Sequence, residues 1–259
     1  MQSEFPHASQ TQLKRWARLN DSKARMEEGM LLAEGVKVVG ELLSSDWKTE
    51  AILVLPEKIK YWERLLNKAD SNIAIYSLTV SQWKKLSQDK EPEGIMAVVQ
   101  IKPEPDFTSC LSACPTNLLV LHEINNPTNM GALMRSAGWF GFTNIILSTK
   151  CADYTNPKVV RASMGRIFHL TIASDVDLIT AIPQIKKTYY LIGSDVRNGL
   201  PPHPLPQKAA LLLGSESHGL PEQLLNIADE RWCIPGNAQA DSLSLPQAAT
   251  IMMYECAKE

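Results

Sequence analysis

The sequence lacks any apolar run approaching the ~20 residues needed to span a bilayer, so no membrane association is expected. Residues 1–6 show no basic stretch followed by an apolar core, so a secretory leader is not expected either, and the chain is placed in the cytoplasm. Cysteine is sparse. Cys110, Cys114, Cys151, Cys233 and Cys256 form an odd set without a CxxC pair, which argues against a disulfide framework and a zinc site; no metal is expected. There is no GxGxxG and no P-loop, which removes the familiar dinucleotide and nucleoside-triphosphate signatures. Excess positive charge is missing as well. With 26 Lys and Arg against 28 Asp and Glu, the net charge is −2, awkward for a protein that neutralises phosphates.

What is present reads as an ordinary globular protein. At 44% hydrophobic and 21% charged, the chain has enough apolar material to offset its conformational entropy. Its 259 residues, at roughly 150 per domain, allow one large domain or two modest ones. Local charge is more telling than the average. Lys14, Arg15, Arg18, Lys23 and Arg25 fall within a dozen residues, followed by Glu27 and Glu28. The cluster reads equally well as a solvated helix face or as a nucleic-acid contact.

The first hundred residues look like a small α/β unit. Residues 26–43 carry apolar positions at helical spacing, and residues 51–55, ending at Pro56, read as a buried strand. A helix over 61–68, a strand over 73–76, a helix over 81–86 and a strand over 95–101 follow. Pro103 and Pro105, among charged residues, cannot continue a central strand and mark the boundary between a domain of residues 1–105 and one of residues 106–259. The second part alternates strands (118–121, 144–147, 189–192, 210–213 and a short one over 231–234) with helices. That alternation predicts an α/β fold with a mostly parallel sheet covered on both faces.

Three loops at predicted strand ends, where open α/β sheets bind ligands, carry the chemical signal. In Asn125-Asn126-Pro127-Thr128-Asn129-Met130-Gly131-Ala132-Leu133-Met134-Arg135, Asn129 is a good N-cap, Gly131 leaves room for close approach, and Arg135 presents a planar fork of donors. In Leu213-Gly214-Ser215-Glu216-Ser217-His218-Gly219, two glycines surround a carboxylate, as a tight ligand-touching loop requires. It is also an incomplete nucleophile elbow, since Ser215 replaces the first glycine; a serine esterase using Ser217 with His218 or His203 is a weak third reading. The stretch 234–246, with small and polar residues around isolated leucines, leads into a helix from Gln247 and suits an adenosine pocket.

In this order, the three loops resemble the signature motifs of the SpoU family of RNA ribose methyltransferases, of the SPOUT class, over about 118–255. Residues 158–165 agree further, and the N-terminal unit, through residues 20–25, Glu34 and Gly35, looks like the ribosomal-protein-like substrate-binding domain of many members. The resemblance implies a C-terminal trefoil knot, an S-adenosylmethionine (AdoMet) site, a homodimer that completes the active site, and transfer of a methyl group to a ribose 2′-hydroxyl, with ribosomal RNA preferred. It assigns Arg135, Asn129 and Glu216 to catalysis and Leu213, Gly214, Ile234, Ser242 and Leu243 to the cofactor. Lys23, Arg25 and Arg161 are the expected RNA contacts, with Trp16 a candidate stacking residue that also reads as core. Ser244 departs from the family's asparagine, and Pro246 from its small polar residue. These two departures keep open an alternative, a non-catalytic RNA-binding or ribosome-assembly factor of the same fold.

Overall fold

A computed structural model describes residues 5–237 and 243–258. The chain divides into two compact units, one formed by Met1–Lys102 with Asp153–Phe168, the other by Pro103–Ala152 with His169–Glu259. None of the described helices is long and apolar enough to cross a membrane.

The first unit begins with α1 (Gln10–Arg18), started by a capping box in which Ser9 and Gln12 bond each other's backbone. Next come α2 (Ser22–Glu28), β1 (Met30–Glu34), α3 (Val36–Leu43), β2 (Thr49–Val54), α4 (Ile59–Leu66), β3 (Ala74–Ser77), α5 (Val80–Leu86) and β4 (Ile95–Gln100). The sheet runs β1-β4-β2-β3, with β4 antiparallel to both β1 and β2, and β3 parallel to β2. Its core joins Trp16, Leu19, Leu32, Leu53, Trp83 and Val98.

The helical spacing read over 26–43 is corrected here. Gly29, at φ +62°, ends α2 in the left-handed conformation, and Met30–Glu34 continues as a strand. All five strand residues are buried, and a short run buried on both sides carries no period that separates strand from helix.

This unit buries charge. The Arg25 side chain is 1% exposed and each of its three nitrogens is bonded: Nε with Thr155 Oγ1 at 3.1 Å, Nη1 with the carbonyls of Leu19 and Asn20 at 3.0 and 3.2 Å, and Nη2 with the Asp153 carboxylate. Burial works to raise the Asp153 pKa, but the Thr155 hydroxyl and the Arg25 guanidinium outweigh it and hold the carboxyl below its ordinary value. Glu34 shows the opposite balance. Desolvation pushes its pKa up despite a 2.6 Å bond from Ser87 Oγ and the Arg161 guanidinium 3.9 Å away.

In the remainder of the chain, the elements are α6 (Phe107–Ser112), β5 (Leu118–Leu121), α7 (Pro127–Trp139), β6 (Asn144–Ser148), α8 (Pro157–Ala162), β7 (Thr171–Val176), α9 (Leu178–Ile185), β8 (Tyr190–Ser194), β9 (Ala209–Leu213), α10 (Glu222–Ile227), β10 (Glu230–Trp232) and α11 (Leu245–Cys256). Of these, α8 lies in the segment that groups with the first unit. The second unit's six-stranded sheet, in the order β10-β8-β9-β5-β6-β7, is parallel at every pairing, as the alternation of strands and helices predicts. Leu118, Val120, Ile146, Leu191 and Leu212 form one apolar layer with Cys110, Ile182, Ile185 and Leu224 from α6, α9 and α10. Leu119, Ile145 and Leu211, which point the other way, are also fully buried, so both faces are covered. The five cysteines are all unpaired.

Candidate active site

Because every strand of the second sheet runs the same way, the loops following β5, β9 and β10 emerge at a common edge. Register makes two of them neighbours. Leu121 pairs with Leu213, and the His122 amide extends the ladder by donating to the Leu213 carbonyl at 2.8 Å.

After β5 the chain turns into α7, but the cap is Asn126 rather than Asn129. Asn126 Oδ1 accepts from the amides of Thr128 (2.9 Å) and Asn129 (3.3 Å), and Pro127 takes the first helical position, where no amide hydrogen is needed. This correction has a consequence. Relieved of capping, Asn129 donates from Nδ2 to Glu216 Oε2 at 2.8 Å, tying the first loop to the second.

Glu216 sits in a loop folded back on itself. Gly219, at φ +66°, returns its amide to the Ser215 carbonyl at 2.8 Å. A Cβ on Gly214 would lie 2.2 Å from the Gly219 carbonyl carbon, so only glycine fits at the start of the loop. Asn125, Asn126, Asn129, Ser215, Glu216 and Leu245 border a cleft of about 230 Å³ between this loop, the start of α7 and the start of α11. Amides, a hydroxyl and a carboxylate around a small open cleft can both give and accept hydrogen bonds, as sugar hydroxyls require.

α11 starts two residues earlier than the sequence reading placed it. Ser244 is its N-cap; its amide and hydroxyl both reach Gln247 Oε1, at 3.4 and 3.0 Å, and Pro246 fits the first turn. Both departures from the family pattern therefore occupy positions that suit a helix start. Ile234 is half-buried just beyond β10, Leu243 is 47% exposed, and Ser242 lies outside the described residues.

Arg135 is not among the residues lining this cleft. It lies six residues beyond Asn129, about 9 Å along the helix axis at 1.5 Å per residue. Its side chain is exposed, as is Trp139 one turn further on (84% exposed), on a helix packed against α11.

The expected RNA contacts differ in exposure and pairing. Lys23 is exposed, with only a 4.0 Å approach to Glu27. Arg161 pairs with Asp89 at 3.2 Å and approaches Glu34. Arg25 is corrected, since a guanidinium 1% exposed and bonded through each nitrogen cannot meet a phosphate. Trp16, 2% exposed and 5.7 Å from the Tyr76 ring, belongs to the core. Arg15 and Arg18 spend their charge on Glu28 and Glu27.

Sequence reasoning missed the loop after β8, the strand that lies between β9 and β10. Val196 stands 78% exposed there, and a Cβ on Gly199 would meet the Arg231 carbonyl oxygen at 2.6 Å. An apolar residue between charged neighbours and a glycine, in Ser194-Asp195-Val196-Arg197-Asn198-Gly199, was the available signal.

Comparison with known proteins decides what this arrangement is. The family model for the SpoU rRNA methylases matches residues 116–254, more than half of the chain. The chain belongs to the SpoU rRNA methylase family. Residues 10–97 match the MRM3-like substrate-binding domain. Among relatives of this SpoU chain is a 23S rRNA (guanosine(2553)-2′-O)-methyltransferase of Bacillus subtilis, 27% identical, the match covering 97% of this chain and 98% of that one. A 23S rRNA (uridine(2479)-2′-O)-methyltransferase of Streptomyces viridochromogenes is 24% identical, over 94% and 88%. The fold is shared with an AdoMet-bound rRNA methyltransferase from Sinorhizobium meliloti, with TM-score 0.81 and 22% identity over 98% and 97% of the two chains. The family assignment leaves the esterase reading without support, although Ser217 Oγ and His218 Nδ1 do lie 2.8 Å apart. Among the described residues no carboxylate bonds the other nitrogen of His218 to orient it.

Proposed function

We propose that this chain transfers the methyl group of AdoMet to a ribose 2′-hydroxyl of ribosomal RNA, in the cytoplasm. One observation carries the reading: the Asn129–Glu216 hydrogen bond, which joins the first two family motifs at the mouth of a parallel sheet. The near-full-length match to a relative named for this reaction supports it.

The loops after β8, β9 and β10 fit an adenosyl group. Val196, after β8, is 78% exposed at the sheet edge from which Gly214 and Ile234 emerge, and Leu243 is 47% exposed, so apolar surface is available for the ring beside main-chain donors and acceptors. Leu213, Gly214, Ile234, Ser242 and Leu243 would hold the cofactor, which when bound supplies a methyl group already activated by its sulfonium. The chain's own residues then have to align the acceptor. Asn129 and Glu216 orient the ribose in the polar cleft. Arg135 holds the ribose or its neighbouring phosphate and favours the developing alkoxide; its guanidinium is too basic to be an easy proton acceptor.

Arg135 reaches such a site in a homodimer. Trp139 on α7 and Ile251 and Tyr254 on α11 are exposed, and the two helices are joined by the Ser136–Thr250 hydrogen bond and the Phe140–Tyr254 ring contact. A second copy covering this apolar face would carry Arg135 into the interface. The trefoil knot belongs to the same proposal. In the first unit, Lys23 is the remaining phosphate contact, with Arg161 available if RNA displaces Asp89.

Calorimetry with AdoMet tests the reading, and no detectable binding would restore the non-catalytic alternative. Loss of one ribose methylation from ribosomal RNA in cells lacking this protein is the expected companion result. For the dimer, Trp139→Glu should sediment as a monomer and lose transfer while still binding AdoMet; an unchanged mass would refute that interface.

A further inference from the structure

The Ser215–Gly219 loop serves a second cleft. Ser215 borders both; Glu216 and Ser217 face the polar cleft with Asn129, whereas His218 and Gly219 border a larger one of about 560 Å³ at the C-terminal ends of β5, β6 and β7. Its volume falls in the range of about 300–1,000 Å³ usual for small-molecule pockets. Val176, Ile179 and Leu224 supply apolar surface, and His122, Glu123, Thr149, Asp177 and His218 supply polar groups.

Two further observations mark it as a ligand site. Among the described residues the buried Nδ1 atom of His122, which lines the cleft, has no hydrogen-bond partner, a cost that native interiors rarely leave standing. Positive φ also gathers at this rim. Four described non-glycine residues have it, and three adjoin the cleft: Glu123 (+51°) at the end of β5, Lys150 (+63°) beside Thr149, and Asp175 (+55°) beside Val176. Such conformations concentrate at ligand sites.

The chemistry excludes an anion. Glu123 and Asp177 face the cleft, and the nearby Lys150 ammonium is held by Glu123 at 3.0 Å. Burial lowers the His122 pKa, keeping that ring neutral. The two imidazoles of His122 and His218 offer faces to a flat heterocycle, whose edge the lining hydroxyls and carboxylates can read. We propose that this cleft receives an unstacked base of the RNA, while the ribose that carries the methyl acceptor lies against Asn129 and Glu216. The inference rests on the methyl-transfer reading for its geometry, since one loop would hold both parts of a nucleotide. Reading an unstacked base splayed out of a single-stranded segment is the common way in which proteins select an RNA site.

The test uses the full chain, with and without AdoMet, titrated separately with uridine, cytidine and guanosine, and with inorganic phosphate as the anionic probe. The readout is the ring-proton resonances of His122 and His218. At least one nucleoside should give saturable shifts while phosphate gives none. His122→Gln and His218→Ala should each weaken that nucleoside about tenfold, in line with the loss of a stacked ring, and leave AdoMet affinity unchanged by calorimetry. Shifts without AdoMet binding would uphold the cleft and sink the methyl-transfer reading. The inference is overturned if AdoMet binds but no nucleoside does, if phosphate gives the same shifts, or if His122→Gln abolishes AdoMet binding.

Discussion

The two units treat charge in opposite ways. The first draws Arg25 and Glu34 into its interior and satisfies them there, with Asp153, Thr155 and Ser87. Among its described residues the second buries no charged side chain, only the uncharged Asn144 and Ser148, and it carries Asn129 and Glu216 at the rim where the strands end. A buried guanidinium bonded through every nitrogen fixes architecture, since it is shut away from any ligand. A carboxylate at an open cleft with one hydrogen bond keeps lone pairs available. The Arg25 charge is therefore committed to stability, whereas the Glu216 carboxylate is left able to bind.

Substitutions should separate these roles. Arg25→Ala removes the buried half of the pair and leaves Asp153, a third exposed, without it; the loss should cost about 1.5–3 kcal/mol of stability, as for a hydrogen bond to a charged group, and a urea midpoint within error of the parent would break the comparison. Acid should act on the same pair. Asp153 has a depressed pKa, so its stabilisation is present above the ordinary carboxylate value of 3.8 and is lost as pH falls through the folded value. Unfolding midpoints should hold steady as pH falls toward 3.8 and drop below it, and Arg25→Ala should flatten that drop. Next in size, Arg135→Ala should lower transfer by about 10²–10³-fold, the usual loss for one transition-state donor, with melting temperature and AdoMet affinity preserved. Retained turnover would refute its assignment. Gly214→Ala should cost about 1–3 kcal/mol through overpacking and weaken AdoMet, because the loop must open to accept a Cβ; an unshifted melting curve would show that the loop can yield. The smallest effect belongs to Lys23→Ala, which should leave the melting temperature unchanged and reduce the salt slope of RNA binding by about one. An identical slope would move the RNA surface elsewhere.

How much of this was legible in the sequence follows from the range of the forces involved. β5, β6 and β9 read directly, because a central parallel strand is a short apolar run bounded by turn residues. β1 did not, since Met30–Glu34 runs into α3 with only Gly29 and Gly35 as punctuation. β7 was hidden by the polar Ser174 and Asp175, and α9 by the proline inside it. At the site, the motif loops were visible as residue types, but the choice of cap was not. Asn126 and Asn129 are both good caps, and only the position of Glu216, 87 residues on, makes Asn129 more useful elsewhere. Arg25 fails for the same reason: nothing near it in sequence announces an acceptor 128 residues away.

That distance along the chain also sets an order of assembly. At the ribosome, where domains generally fold from the N-terminus as they emerge, the strands of the first sheet are complete by residue 100, yet the carboxylate that neutralises its interior guanidinium is synthesised some fifty residues later. Until then the early portion holds an uncompensated cation. Its final closure waits on a stretch that arrives only after β5, α7 and β6 have been made, so the maturation of the N-terminal unit is timed by the translation of its successor.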